Sequence, residues 1–297
     1  MDLRHNQLPW SEQIWAKINA DLAQALAQSR RVRAPFEVFH VPSSTQSVMA
    51  DRNDPFVGME YSDTETTPII ELSVLFALSQ SQVHNEGDNF YALDRIIAAA
   101  YDIGVAEDEL IINANLNASA KPNPSVVVSG ARTLWDGIYY TNKVYPTDPF
   151  PVAQRFNNKL PSNNGIPVGL ELYNAVVEAR KNLREMNRYE PFALILSNDL
   201  EGEIQSTVRG TNSLNTPIER LKPLATAGIY TTPVLPLKTA LLVSVARSWI
   251  DIAQAMEPSV QFLNIDAKGN YQMRLVERFA FRLKDRSARC LIKMIKV

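Results

Sequence analysis

One stretch, Thr67 to Ile112, restricts the possible folds of this chain more than any other. After Pro68 the residues run Ile69-Ile-Glu-Leu-Ser-Val-Leu-Phe-Ala-Leu78, β-branched and apolar over a strand's length. A strand with at least one buried face is expected there. Asn85-Glu-Gly-Asp-Asn89 then breaks the pattern and supplies side chains able to accept from the unpaired N–H groups of a helix start. Leu93, Ile96, Ile97, Ala100, Tyr101, Gly104, Asp108 and Ile111 follow at helical spacing, while Asp94, Arg95, Asp102, Glu107 and Glu109 fall mostly on other faces. The spacing predicts one long amphipathic helix lying on a sheet. Its carboxylates Glu107, Asp108 and Glu109 are expected at a solvated end rather than as an acid and base pair.

Upstream, Ser11 is a candidate N-cap for a helix running to about Ser29, with Ile14, Ile18, Leu22, Ala25 and Leu26 in a stripe. Arg30, Arg31 and Arg33 read as a solvated cationic patch, followed by a strand-like segment from Phe36 to His40. Pro42 to Thr67 is rich in Ser, Thr, Asp and Pro, the composition of a long exposed excursion, and such an arm could satisfy its backbone by adding to another subunit. Asn113 to Pro167 is dense in proline, which excludes continuous helix or central strand, although Val126-Val-Val128 suits a short strand. Its aromatics Trp135, Tyr139, Tyr140 and Tyr145, with Ile138 among them in sequence, read as loop anchors.

Regular structure resumes at Gly169 with a helix through Leu172, Val176, Ala179 and Leu183, then a buried strand over Pro191 to Ser197 and another over Leu241 to Val245. The chain closes with strand-like runs at Trp249 to Ala253, Val260 to Ile265, Tyr271 to Leu283 and Cys290 to Ile295. Strict alternation in the third, and a turn at Asp266-Ala-Lys-Gly269, predict a long antiparallel sheet as the floor for the long helix. The fold class expected is α+β.

A chain of 297 residues can bury a substantial core, and a net charge of -2 with a pI near 6.0 gives no electrostatic case for a nucleic-acid surface. The one cysteine, Cys290, excludes an intramolecular disulfide and reads as core packing. No apolar run reaches membrane-spanning length and no signal segment stands at the start, so a soluble, cytoplasmic protein without membrane contact is expected. His5, His40 and His84 are far apart, and no phosphate loop, nucleophile elbow or metal-ligand spacing is present. The expectation is a protein that is not an enzyme, with no cofactor and no metal.

Several segments, in this order, resemble encapsulin shell proteins, which share the Hong Kong 97-type fold of phage major capsid proteins. They are Leu8-Pro-Trp with Trp15, Pro68-Ile-Ile-Glu-Leu with Phe76-Ala-Leu-Ser, Ala106-Glu-Asp-Glu-Leu-Ile111, and Tyr189 to Ser197. Ala225 to Pro233, Ala240 to Ser244 and Val276-Glu-Arg-Phe-Ala-Phe281 complete the series. The resemblance implies an N-terminal helix and arm (1–42), an extended loop (43–67), and a peripheral domain holding the long helix (68–135). An axial domain with a preceding insertion (136–248) and peripheral strands that return (249–297) would follow. It implies an icosahedral homo-oligomer that encloses cargo proteins held by short targeting peptides. The cargo groove would then involve Leu22, Leu26, Arg31, Phe36 and Glu37, and the pore loop Arg209, Gly210, Thr211 and Asn212. Gln80, Ser81 and Gln82 stand where some relatives place a flavin-binding tryptophan, so no flavin is expected. The alternatives are a phage or prophage capsid protein, which would package DNA and commonly carries a long scaffolding segment before its packed helix, and a peptidase-type enzyme.

Overall fold

A computed structural model describes residues 7–50, 66–114, 125–130, 135, 137–139, 154–157, 168–205 and 216–295. In chain order the helices are α1 (Glu12–Ser29), α2 (Gln80–His84), α3 (Glu86–Asn89), α4 (Tyr91–Asn113), α5 (Val168–Glu185), α6 (Asn198–Gln205) and α7 (Pro217–Leu221). The strands are β1 (Val38–His40), β2 (Ser47–Met49), β3 (Thr66–Pro68), β4 (Ile70–Leu78), β5 (Val126–Ser129), β6 (Gln154–Asn157), β7 (Phe192–Ser197), β8 (Gly228–Thr232), β9 (Thr239–Ser244), β10 (Ile250–Ile265), β11 (Tyr271–Leu283) and β12 (Arg289–Ile295).

The expected strand, loop and long helix are present. Helix α4 begins on Phe90, a left-handed residue with φ of 54° and no side-chain cap. Its free N–H groups are met from a turn away by Glu86, whose two carboxylate oxygens accept from Ala92 (2.6 Å) and Leu93 (2.9 Å). A carboxylate at a helix N-terminus gains from both the hydrogen bonds and the dipole. Ile96, Ala100, Ile103 and Leu110 of α4 share one apolar cluster with Leu72 and Val74 of β4 and with Met273, Leu275 and Phe279 of β11. Each fully buried side chain of this kind contributes about 1.5–3 kcal/mol. Trp135 closes the end of this core, its indole N–H donating to Leu110 O at 3.1 Å and its ring 5.6 Å from that of Phe279.

The first sheet has the spatial order β1-β10-β11-β4-β5. β11 fills the span its alternation predicts, and the hairpin turn is at Asp266, which accepts from Lys268 and Asn270 N–H. The two runs expected at 249–253 and 260–265 are instead one strand, β10, whose register against β11 shifts between Gln254 and Ser259. The bulge is satisfied by Gln254 Nε2, which donates to Met256 O at 2.5 Å, and Pro258 is tolerated there because an irregular strand position asks for no ladder N–H.

The second sheet, ordered β6-β12-β9-β7-β8, is covered by α5, whose Leu172, Val176, Ala179 and Leu183 pack with Phe192, Leu194, Leu196, Leu242 and Ile292. β12 belongs here, paired antiparallel with β9, so residues 249–297 do not all return to the first sheet as expected. The chain is redirected after β11 by a 3-10 turn, Arg286–Ala288, in which Asp285 accepts from Ser287 N (2.7 Å) and Oγ (2.6 Å) while also binding Arg188. Cys290 is buried within this second core, and burial pushes its thiol up to about 12.

The expected arm is rooted by a two-stranded ribbon, β2 with β3. Arg278 donates to Ser43 O and Thr45 O, and Arg282 Nη1 donates to Met49 O at 2.8 Å, so β11 holds the base of the excursion. Residues 51–65 lie outside the described residues.

Candidate functional site

Helix α1 lies against α4 with unusual intimacy at one point. A Cβ placed on Gly104 would come 2.1 Å from Ser29 Oγ and 2.5 Å from Ser29 Cβ, so only glycine allows this approach. Ser29 Oγ reaches Leu26 O and, across the crossing, Ala100 O. Just beyond, the chain leaves the helix through Arg30-Arg-Val-Arg33.

The expectation of a solvated arginine patch and a solvated acidic helix end fails here, because the two meet and bury one another. Glu107, Asp108 and Glu109 are buried, as are Arg33 and the side chain of Arg30. Arg30 Nε lies 2.6 Å from Glu107 Oε2 and its Nη2 contacts Glu277 of β11, while Arg33 Nη1 lies 2.5 Å from Glu107 Oε1 and Nη2 donates to Gln254 Oε1 at 2.6 Å. Desolvation opposes charge on Arg30, but Glu107 and Glu277 more than offset it and its pKa is raised. Burial pushes Glu277 up to about 7 against the pull of Arg30. Asp108 rises to about 8 through burial and the neighbouring Glu107, although Val32 N–H (3.0 Å) and Arg31 N–H (3.2 Å) both donate to its carboxylate. Thr232 Oγ1, at the end of β8, donates to the same carboxylate at 3.4 Å. One acidic turn of α4 therefore fastens α1, the first sheet and the second sheet together.

Above this joint a groove of about 620 Å³ runs between α1 and the β1–β10 edge. Leu22, Ala23, Leu26 and Ala27 form one wall, and Phe36, Val38 and Pro258 the other, with Arg30 and Arg33 on the floor. The guanidinium groups of these arginines are held by Glu107 and Glu277. Phe36 is fixed by an edge-to-face contact with Phe281, centroids 5.6 Å apart.

Of the residues nominated from sequence, Leu22, Leu26 and Phe36 are brought together along this groove. Arg31 is exposed and is not in its lining; only its backbone N–H takes part, in the bond to Asp108. Glu37 is also exposed and pairs with Arg247 at 3.1 Å outside the lining. Arg209, Gly210, Thr211 and Asn212 lie outside the described residues. Sequence reasoning missed Glu107, Asp108 and Glu277 as partners of the arginines, since nothing local links positions separated by 74 residues or more. Among the described residues no three His, Cys, Asp or Glu side chains are grouped to hold a metal ion, and no helix is long and apolar enough to cross a membrane.

A family model described as "encapsulating protein for peroxidase" matches residues 158–280. The Type 1 encapsulin shell protein EncA of Myxococcus xanthus (strain DK1622) is 28% identical over 121 residues, which is 41% of this chain and 41% of that relative. In structure, the chain is similar to the virus-like particle from Pyrococcus furiosus, with a TM-score of 0.67 and 14% identity over 95% of this chain and 100% of that one. It is also similar to the capsid of Myoviridae phage XM1, with a TM-score of 0.58 and 12% identity over 89% of this chain and 91% of that one. At these identities the structural likeness shows the fold.

Proposed function

We propose, for an encapsulin-like chain with the Hong Kong 97-type capsid fold, the role of a shell subunit: many copies close an icosahedral particle in the cytoplasm and hold cargo enzymes inside. The observation that carries this reading is the likeness over 95% of the chain to a virus-like particle subunit, joined to sequence similarity that falls on encapsulins. Closed point-group assembly turns one self-complementary subunit into a container. Cargo would be held by a targeting peptide in the groove that Leu22, Leu26 and Phe36 share, and Arg209 to Asn212 would border the pore at the fivefold axis. The arm at 43–67 would reach a neighbouring subunit.

A phage capsid role draws support from the likeness to the phage XM1 capsid and would require packaged DNA. Electron microscopy of the purified protein tests the shell reading, with closed particles of uniform diameter expected and only isolated subunits counting against it. Nuclease-resistant genomic-length DNA in those particles would replace it with the phage reading. Deleting residues 43–66 is expected to leave folded, unassembled subunits; intact particles from that deletion would remove the arm from assembly.

A further inference from the structure

We infer that the groove takes its peptide as an added β-strand on the open edge of β1, so that backbone hydrogen bonds as well as side-chain burial hold the guest. This rests on the proposed cargo role of the groove and specifies how recognition is achieved. β1 is the outermost strand of the first sheet and pairs on one side only, parallel to β10, with Val38 opposite Ile252 and His40 opposite Gln254. Glu37 O accepts from Ile252 N–H at 3.0 Å, and Val41 N–H donates to Gln254 O at 2.9 Å. In a parallel ladder one strand contributes alternate residues to a given neighbour, so residues 37, 39 and 41 face β10. The N–H and C=O groups of Val38 and His40 therefore point away from the sheet, and among the described residues no backbone or side-chain partner meets them.

That edge is unusual in where it stands. Val38 is itself part of the groove wall, with Phe36 before it and the apolar face of α1 opposite. A strand laid along β1 would bury alternate side chains against Leu22, Leu26 and Phe36, and would satisfy up to four main-chain groups that are otherwise left to water. The charge along the rim fits a particular guest. The floor guanidinium groups are already engaged by Glu107 and Glu277, whereas Glu257 is a half-exposed carboxylate on the lining, 3.7 Å from His40 Nδ1. The guest is thus an extended segment of a partner protein, with apolar residues at every second position and a basic residue at the Glu257 end.

The test uses assembled wild-type protein and a random library of short peptides, from which binders are selected and then made with single N-methylated amides. Strand addition predicts apolar residues at alternate positions in the binders and a loss of affinity at every second methylated amide. His40→Pro, which removes one outward N–H without touching the ladder to β10, should weaken binding about fivefold to tenfold, whereas His40→Ala should leave it within about twofold. Ala23→Trp, which fills the groove from the exposed side of α1, should abolish binding. Binders that depend on Ala23 but show no alternation in the N-methyl scan and no response to His40→Pro would overturn strand addition while leaving the groove as the cargo site. A library that yields no binder sensitive to Ala23→Trp would overturn both.

Discussion

The contact between Gly104 and Ser29 gives the sharpest test of how α1 is held. In Gly104→Ala the new Cβ would meet Ser29 Oγ at 2.1 Å and Cβ at 2.5 Å, more than an ångström inside ordinary contact, so α1 must move away from α4. Removing a helical glycine contributes about 1 kcal/mol in favour of the variant, but overpacking a well-filled interface costs about 1–3 kcal/mol, and the distances place this case at the upper end. A net loss of about 2 kcal/mol is expected. Ser29→Gly deletes both clashing atoms and leaves Ser29 C, at 3.2 Å, as the nearest neighbour. Alone it should cost about 1 kcal/mol, through two long hydrogen bonds and added backbone freedom. The double variant should therefore be about 3 kcal/mol more stable than the sum of the single losses, which is the overpacking that Ser29→Gly relieves. Denaturant titration followed by the fluorescence of Trp10 and Trp15, whose rings pack edge to face 5.0 Å apart beside the start of α1, reads this directly. A coupling energy near zero would refute the claim that the glycine is there to admit Ser29.

Further outcomes follow from the joint and its surroundings. Arg33→Met leaves the buried Glu107 with Arg30 alone and should cost about 3–5 kcal/mol in the same titration; a loss under about 1 kcal/mol would mean the pair is dispensable. Burial raises Asp108 from 3.8 to about 8 and Glu277 from 4.5 to about 7, so the folded chain holds protons that the unfolded chain has released. The stability these groups contribute is complete below their unfolded values and is lost as pH rises to about 8, so Asp108→Asn should flatten the decline measured between about pH 5 and 9. An unchanged pH profile in that variant would remove Asp108 from the account. Trp10→Phe loses the indole bond to Val83 O, 2.9 Å long and buried, and should lower stability by about 1–2 kcal/mol, visible as a lower thermal midpoint.

What could be read from the sequence was what depends on near neighbours. The alternation of Tyr271 to Leu283 defines β11 to the residue, Ser11 caps α1 as its position suggests, and Val126 to Val128 do form a strand. The bend in β10 was hidden because a polar, proline-containing interval looks like the end of a strand unless the Gln254 side chain is known to fill the bulge. The acidic turn of α4 was misread for a related reason. Three successive carboxylates are cheap only in water or beside suitable partners, and the exit of α1, brought near by the packing of Ser29 on Gly104, supplies Arg30 and Arg33 to Glu107 and backbone N–H groups to Asp108. That Leu22 and Leu26 would share a face was legible from the apolar spacing on α1, whereas their meeting with Phe36 along one groove was expected only from the resemblance to encapsulins. Ala23, Ala27 and Pro258 carry no such signal, being small or irregular positions whose contribution is the space they leave.

Asp108 accepts from the backbone just beyond α1 and from Thr232 at the end of β8, so a single carboxyl ties the exit of the first helix to the second sheet, beside the apolar core that the two sheets share. Loosening one attachment changes the position and charge seen by the other. The exit of the first helix and the far sheet thus share one acceptor, and neither can shift at this point without changing the bonds of the other.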